Sequence, residues 1–165
     1  MMPIGRFYAG IAAVIWVRAT EQYLLLKRSE EKDFGSGVWE CVTGQLDQGE
    51  GFQDAVHREV EKEISLNVES DFVVGTTHFY RGAQPTDELV GVVVFCSTDR
   101  PAEIALSAEH SAYRWVTTAE ARSLLSANDP STRWMRRVIE RAEALRAEVP
   151  PSLVDFRRQH GFELG

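Results

Sequence analysis

Apolar residues run almost without a break from Phe7 to Val17 and again from Tyr23 towards Arg28, with a polar connection at Arg18 to Gln22. This pattern predicts two β-strands that can close as a hairpin. Strands this continuously apolar are covered on both faces, which implies a sheet held between helices. The charged, glycine-containing stretch Ser29 to Gly37 reads as a loop, and Val38 to Thr43 as one short strand. From Gly51 to Leu66 the period changes. Phe52, Ala55, Val56, Val60 and Ile64 recur at helical spacing, so this segment predicts a helix with one apolar face. Phe72 to Tyr80 and Leu89 to Ser97 predict further strands around the turn-rich RGAQPTDE, and Tyr113 to Val116 a short one. The last third reads as helical. Thr118 to Ser126 starts behind Thr117, with Glu120 completing a capping box, and Pro130 to Glu148 opens on a proline suited to a first turn. Pro150 and Pro151 end that helix.

At 165 residues the chain is long enough for one well-buried core, so we assign a single domain over 1–150 and a tail over 151–165. A formal net charge of −7, with no concentrated basic stripe, argues against a nucleic-acid partner. Cys41 and Cys96 each sit in an apolar run without metal-ligand spacing and read as core thiols of a reducing compartment. The N-terminal apolar stretch is about ten residues, short of the ~20 needed to span a bilayer. It also lacks the basic start and small-residue cleavage site of a signal peptide, so the expectation is a cytoplasmic protein with no membrane partner.

The chemistry concentrates in Gly44 to Leu66. On a helix Glu59 and Glu63 lie about 40° apart around the axis and project from one face. Like charges so placed repel, and Glu50, Asp54 and Glu61 add more acid nearby, an arrangement suited to a cation. With its spacing, the segment resembles the Nudix box, Gly-x5-Glu-x7-Arg-Glu-U-x-Glu-Glu-x-Gly-U, where U is a bulky aliphatic. Gly44, Glu50, Arg58, Glu59, Val60, Glu63 and Leu66 match, while Lys62 replaces the first acid of the Glu-Glu pair and Ser65 the last glycine. The resemblance implies an α/β fold, the Nudix α/β/α sandwich with a central mixed sheet. It also implies Mg²⁺- or Mn²⁺-dependent hydrolysis of a diphosphate bond in a nucleoside diphosphate linked to another group. A hard cation and oxygen donors suit that chemistry, because negative charge builds on phosphate oxygens as water attacks.

By the same resemblance Glu59, Glu63 and the Gly44 carbonyl are metal ligands, and Arg58 with Glu50 forms an ion pair that fixes loop to helix. Glu109, in SAEHSAYRW, resembles the loop that supplies a further ligand or general base in several nucleoside- and pterin-triphosphate hydrolases of the family; its alternative is a solvated loop acid. Glu88 is the second choice for that role, and His110 the neighbouring imidazole. Lys27, Arg28 and Arg81 end strands where a cation can reach phosphate, or they are surface charges. Trp39 and Phe34 are candidates to stack on a base, with Trp39 in its strand equally a core residue, Phe7 and Tyr80 are candidates to line a pocket, and Trp115 and Trp134 are assigned to the core. The stretch WECVTGQLDQGE is most similar to dihydroneopterin-triphosphate and (d)NTP pyrophosphohydrolases, which makes a nucleotide-type small molecule the expected partner, and many relatives form homodimers. Lys62 keeps a rival open: a catalytically silent domain that senses a nucleotide.

Overall fold

The computed structural model describes residues 5–31, 35–101 and 103–165; Phe34 lies outside them. The chain order is β1 (Tyr8–Val17), β2 (Gln22–Arg28), β3 (Trp39–Glu40), β4 (Val42–Gln45), α1 (Phe52–Ile64), β5 (Glu69–Tyr80), β6 (Glu88–Thr98), β7 (His110–Val116), α2 (Thr118–Leu124), α3 (Pro130–Glu148) and α4 (Pro151–His160). The seven strands form one sheet with the path β3-β2-β1-β6-β5, to which β4 adds on β1 and β7 on β2. β1 and β6 run parallel and every other pairing is antiparallel, so the sheet is mixed.

Strand alternation sorts the apolar side chains into two cores. Ile11, Ala13, Ile15, Leu24 and Leu26 face α1, where they meet Val56, Val60 and Ile64. Ala12, Val14, Tyr23, Leu25 and Phe95 face α2 and α3, where they meet Leu125, Met135 and Ile139. The expected α/β/α sandwich is therefore what the chain forms. Each fully buried Val or Ile of α1 contributes about 1.5–3 kcal/mol, enough to hold a helix that starts without a side-chain cap of its own on Gly51. The cap comes from elsewhere: Gln53 N donates to Glu163 Oε1 at 3.0 Å, so the tail carboxylate satisfies an N-terminal amide of α1.

One feature departs from expectation. The segment Val38 to Thr43 is not one strand but two, because its halves serve different partners: Trp39 and Glu40 pair with β2, whereas Val42 to Gln45 pair with β1. β1 and β2 are paired only at Trp16–Tyr23 and Val17–Gln22, and beyond that the chain of β3 and β4 enters the fork between them. The tail is also a packed element. α4 lies on β5, with Arg158 Nε donating to Asp71 Oδ1 at 2.8 Å and Val154 joining the α3-side core. No helix among the described residues is long and apolar enough to cross a membrane.

Candidate active site

The fork opens into a cavity of about 1010 Å³. β4 brings Gly44 to its wall, and the helix that follows brings Glu59 and Glu63. Gly44 is required there: a Cβ on it would overlap the Glu59 side chain, so the missing side chain lets the carboxylate lie against the strand backbone. Both acids are deeply placed, with Glu59 at 4% and Glu63 at 1% exposure. Burying a carboxylate costs several kcal/mol unless charge or hydrogen bonds offset it. For Glu59 the offset is visible. Arg58 Nη1 donates to its Oε1 and Lys62 Nζ to its Oε2 at 3.1 Å, which also raises the Lys62 pKa. For Glu63 it is not. Its Oε2 is buried without a hydrogen-bond partner. Burial first, then the charges of Glu109, Glu40 and Glu59, push its pKa up to about 9.

The loop before α1 is fixed by a two-point contact. Arg58 Nε donates to Glu50 Oε1 at 2.7 Å and Nη2 to Glu50 Oε2 at 2.8 Å, while Nη2 also reaches the Gln45 carbonyl at 2.8 Å. The Arg58 guanidinium holds the Glu50 carboxyl down at about 2. Glu109 arrives from the loop before β7, which is tied down by Ser107 N donating to Glu63 O at 2.9 Å and Ser29 N donating to Glu109 O at 2.9 Å. Its Oε1 lies 3.6 Å from Lys62 Nζ, so the ammonium sits between Glu59 and Glu109. Among the described residues no three His, Cys, Asp or Glu side chains form a ready-made metal cage. Lys62 occupies the side of Glu59 that a cation would share with Glu109. The donors are nevertheless all oxygens, one of them buried and unpartnered, which suits a hard divalent ion.

Of the other candidates, Arg28, Trp39, Arg81 and Tyr80 line the same cavity. Lys27 does not. Phe7 is exposed outside the cavity, and Glu88 is engaged with His78 Nε2 at 2.6 Å away from the acids. Trp134 is not a purely core residue: it packs against the α3-side core but also lines the cavity, where its Nε1 donates to Thr77 Oγ1 at 3.1 Å. Sequence reasoning missed Glu40. It lines the cavity, its Oε1 lies 2.9 Å from His110 Nε2 and accepts from Arg28 Nη1 at 3.2 Å, and so it gives buried His110 a partner. A charged residue inside the apolar run VWECV was the available signal. The arginines Arg137 and Arg141 of α3, also on the cavity, were missed as well.

The NUDIX domain family profile matches residues 8–141. The chain is 36% identical over 58 residues to dihydroneopterin triphosphate diphosphatase of Escherichia coli strain K12, a match over 35% of this chain and 36% of that protein. It is 34% identical over 113 residues to octanoyltransferase of Myxococcus xanthus, over 66% of this chain and 30% of that protein. The matched part is thus about a third of either curated relative. In structure the chain is similar to the MutT protein of Methanosarcina mazei Go1, with TM-score 0.70, 21% identity, and coverage of 88% of this chain and 99% of that one.

Proposed function

The chain belongs to the NUDIX domain family, and from that premise we propose that it is a divalent-metal-dependent hydrolase of the diphosphate bond in nucleotide-type small molecules. The observation that carries the reading is the pair Glu59 and Glu63, one helical turn apart, both buried, both on the wall of a cavity large enough for a nucleotide. A solvated helix face would leave such carboxylates in water. The 36% identity over 58 residues to a dihydroneopterin triphosphate diphosphatase supports a pterin or nucleoside triphosphate as the substrate class.

In this reading Glu59, Glu63, Glu109 and the Gly44 carbonyl would hold Mg²⁺ or Mn²⁺, which when bound supplies neutralisation of phosphate charge and a more acidic water. The remaining work belongs to the side chains. Arg58, clamped by Glu50, keeps Glu59 turned to the cavity. Glu63 Oε2 makes no hydrogen bond and lies 3.9 Å from His110 Nδ1, and burial keeps its pKa raised until positive charge arrives. Glu109, half-buried at the cavity wall, accepts the proton of the attacking water. Arg28 and Arg81 meet phosphate oxygens, and Trp39 gives a flat surface for the base.

A second reading rests on Lys62, whose ammonium already stands 3.1 Å from Glu59 and 3.6 Å from Glu109: a silent domain that binds a nucleotide without cleaving it. One panel separates the two. Nucleoside triphosphates, dihydroneopterin triphosphate, ADP-ribose and dinucleoside polyphosphates are incubated with and without Mg²⁺. Metal-dependent turnover that is lost in Glu59→Gln supports the hydrolase. No turnover at high enzyme concentration, together with ligand-dependent thermal shifts, supports the sensor.

A further inference from the structure

The cavity has a second charged wall, opposite in sign to the first. α3 carries five arginines, and three of them bond to the protein: Arg133 to the Asn128 carbonyl, Arg136 to the Leu125 carbonyl and Arg146 to Glu143. Arg137 and Arg141, one turn apart, make no hydrogen bond or ion pair among the described residues, and both line the cavity. In a chain of net charge −7, with Glu140 and Glu148 on the same helix, acid partners are plentiful. Two like charges at this spacing repel mildly, and with both lining one cavity they suit an anion bound between them.

Their position fixes how far that anion lies from the carboxylates. Arg141 Nη1 rests 3.9 Å from where a Cβ on Gly75 would stand, so the guanidinium lies over β5. Gly44 is aligned with Ile11, Ile11 with Val92, and Val92 with Thr76, which neighbours Gly75. Three strand spacings, about 14 Å along the sheet, separate Gly44 from Thr76, and the two walls stand at least that far apart. A triphosphate arm held at Glu59 and Glu63 does not reach that far, but a nucleoside does. On the arginine side Trp134, anchored on Thr77 of β5, offers an apolar surface to the cavity.

We infer that Arg137 and Arg141 form a second anion subsite, which takes a phosphate on the sugar of a nucleotide whose 5′-diphosphate lies at Glu59 and Glu63. This rests on the hydrolase reading and narrows it to nucleotides phosphorylated at both ends of the nucleoside. Two unpaired guanidinium groups match a dianionic phosphate better than a neutral base edge, which one arginine satisfies.

The test needs no turnover, so it fails or succeeds independently of the hydrolase reading. Binding of adenosine 5′-monophosphate, adenosine 3′,5′-bisphosphate and adenosine 2′,5′-bisphosphate, none of which has a diphosphate bond to cleave, is measured by calorimetry with Mg²⁺ present, on the wild-type protein and on Arg137→Ala/Arg141→Ala. Both positions are exposed, and a thermal melt checks that the variant remains folded. The expected result is that at least one bisphosphate binds about 10-fold or more tighter than the monophosphate, about 1.4 kcal/mol, and that the double variant removes this preference while leaving monophosphate affinity unchanged. Which isomer gains identifies the sugar position. Equal affinities in the wild type, absence of binding by every ligand, or a preference that survives the double substitution would overturn the inference.

Discussion

Replacing Glu63 by glutamine should make the metal-free protein more stable, although the same change removes a proposed ligand. The carboxyl is 1% exposed, its Oε2 has no partner, and its pKa is pushed from 4.5 to about 9 by burial and by neighbouring acids. Because the folded value lies above the unfolded one, the contribution of Glu63 to stability is complete below about pH 4.5 and falls as pH climbs towards 9. At pH 7 the unfolded chain gains from ionising this group while the folded chain does not. At about 1.4 kcal/mol per pH unit over the interval from 4.5 to 7, the loss is about 3 kcal/mol. Glutamine is neutral in both states and avoids it, less the cost of about 1 kcal/mol or more for a buried amide with incomplete hydrogen bonding, which leaves a gain of up to about 2 kcal/mol. The assay is urea unfolding of wild type and Glu63→Gln in EDTA at pH 5, 7 and 8.5. The gain should widen with pH. Mn²⁺ should then stabilise the wild type, by about 2.7 kcal/mol at a hundredfold excess over the dissociation constant, but not the variant. A variant less stable than wild type at pH 7, or a difference that is flat between pH 5 and 8.5, refutes the reasoning.

Three further outcomes follow from named contacts. Lys62→Ala removes the ammonium from between Glu59 and Glu109, so Mn²⁺ affinity measured by electron paramagnetic resonance should rise on the order of 10-fold with hydrolysis retained; weaker binding would mean that Lys62 supports the site. Ser65 closes α1 in the left-handed region at φ 52°, where glycine fits without strain, so Ser65→Gly should stabilise the protein by about 1 kcal/mol in urea melts, and a loss of stability would contradict this. Glu163→Ala withdraws the borrowed cap from Gln53 N and should cost about 1 kcal/mol while leaving the sheet intact by circular dichroism; no change would mean that water caps the helix equally well.

What the sequence made legible were features encoded locally. The helical period of α1, the continuous apolar runs of β1 and β2, the Thr117–Glu120 capping box and the opening proline of α3 each depend on neighbours in the chain, and each element formed close to its expected bounds. The spacing from Gly44 to Glu63 likewise placed the acids on one face before any tertiary contact was known. What stayed hidden depends on partners distant in sequence. Val38 to Thr43 reads as one strand because nothing local marks Cys41 as the point where pairing passes from β2 to β1. Glu40 acquires its role from His110, 70 residues later, and the α1 cap comes from Glu163, 110 residues after Gln53. Arg137 and Arg141 resemble any solvated helical pair until β5 is laid beneath them. Lys27 and Arg28 look equivalent in the sequence, yet only Arg28 lines the cavity.

The central claim is that the turn carrying Glu59 and Glu63 binds a divalent cation. Crystals soaked in Mn²⁺ and measured for anomalous scattering test it most directly. A peak within coordination distance of Glu59 and Glu63, absent from Glu59→Gln/Glu63→Gln crystals, is the result predicted. A fully soaked crystal with no peak beside those two carboxylates would contradict it.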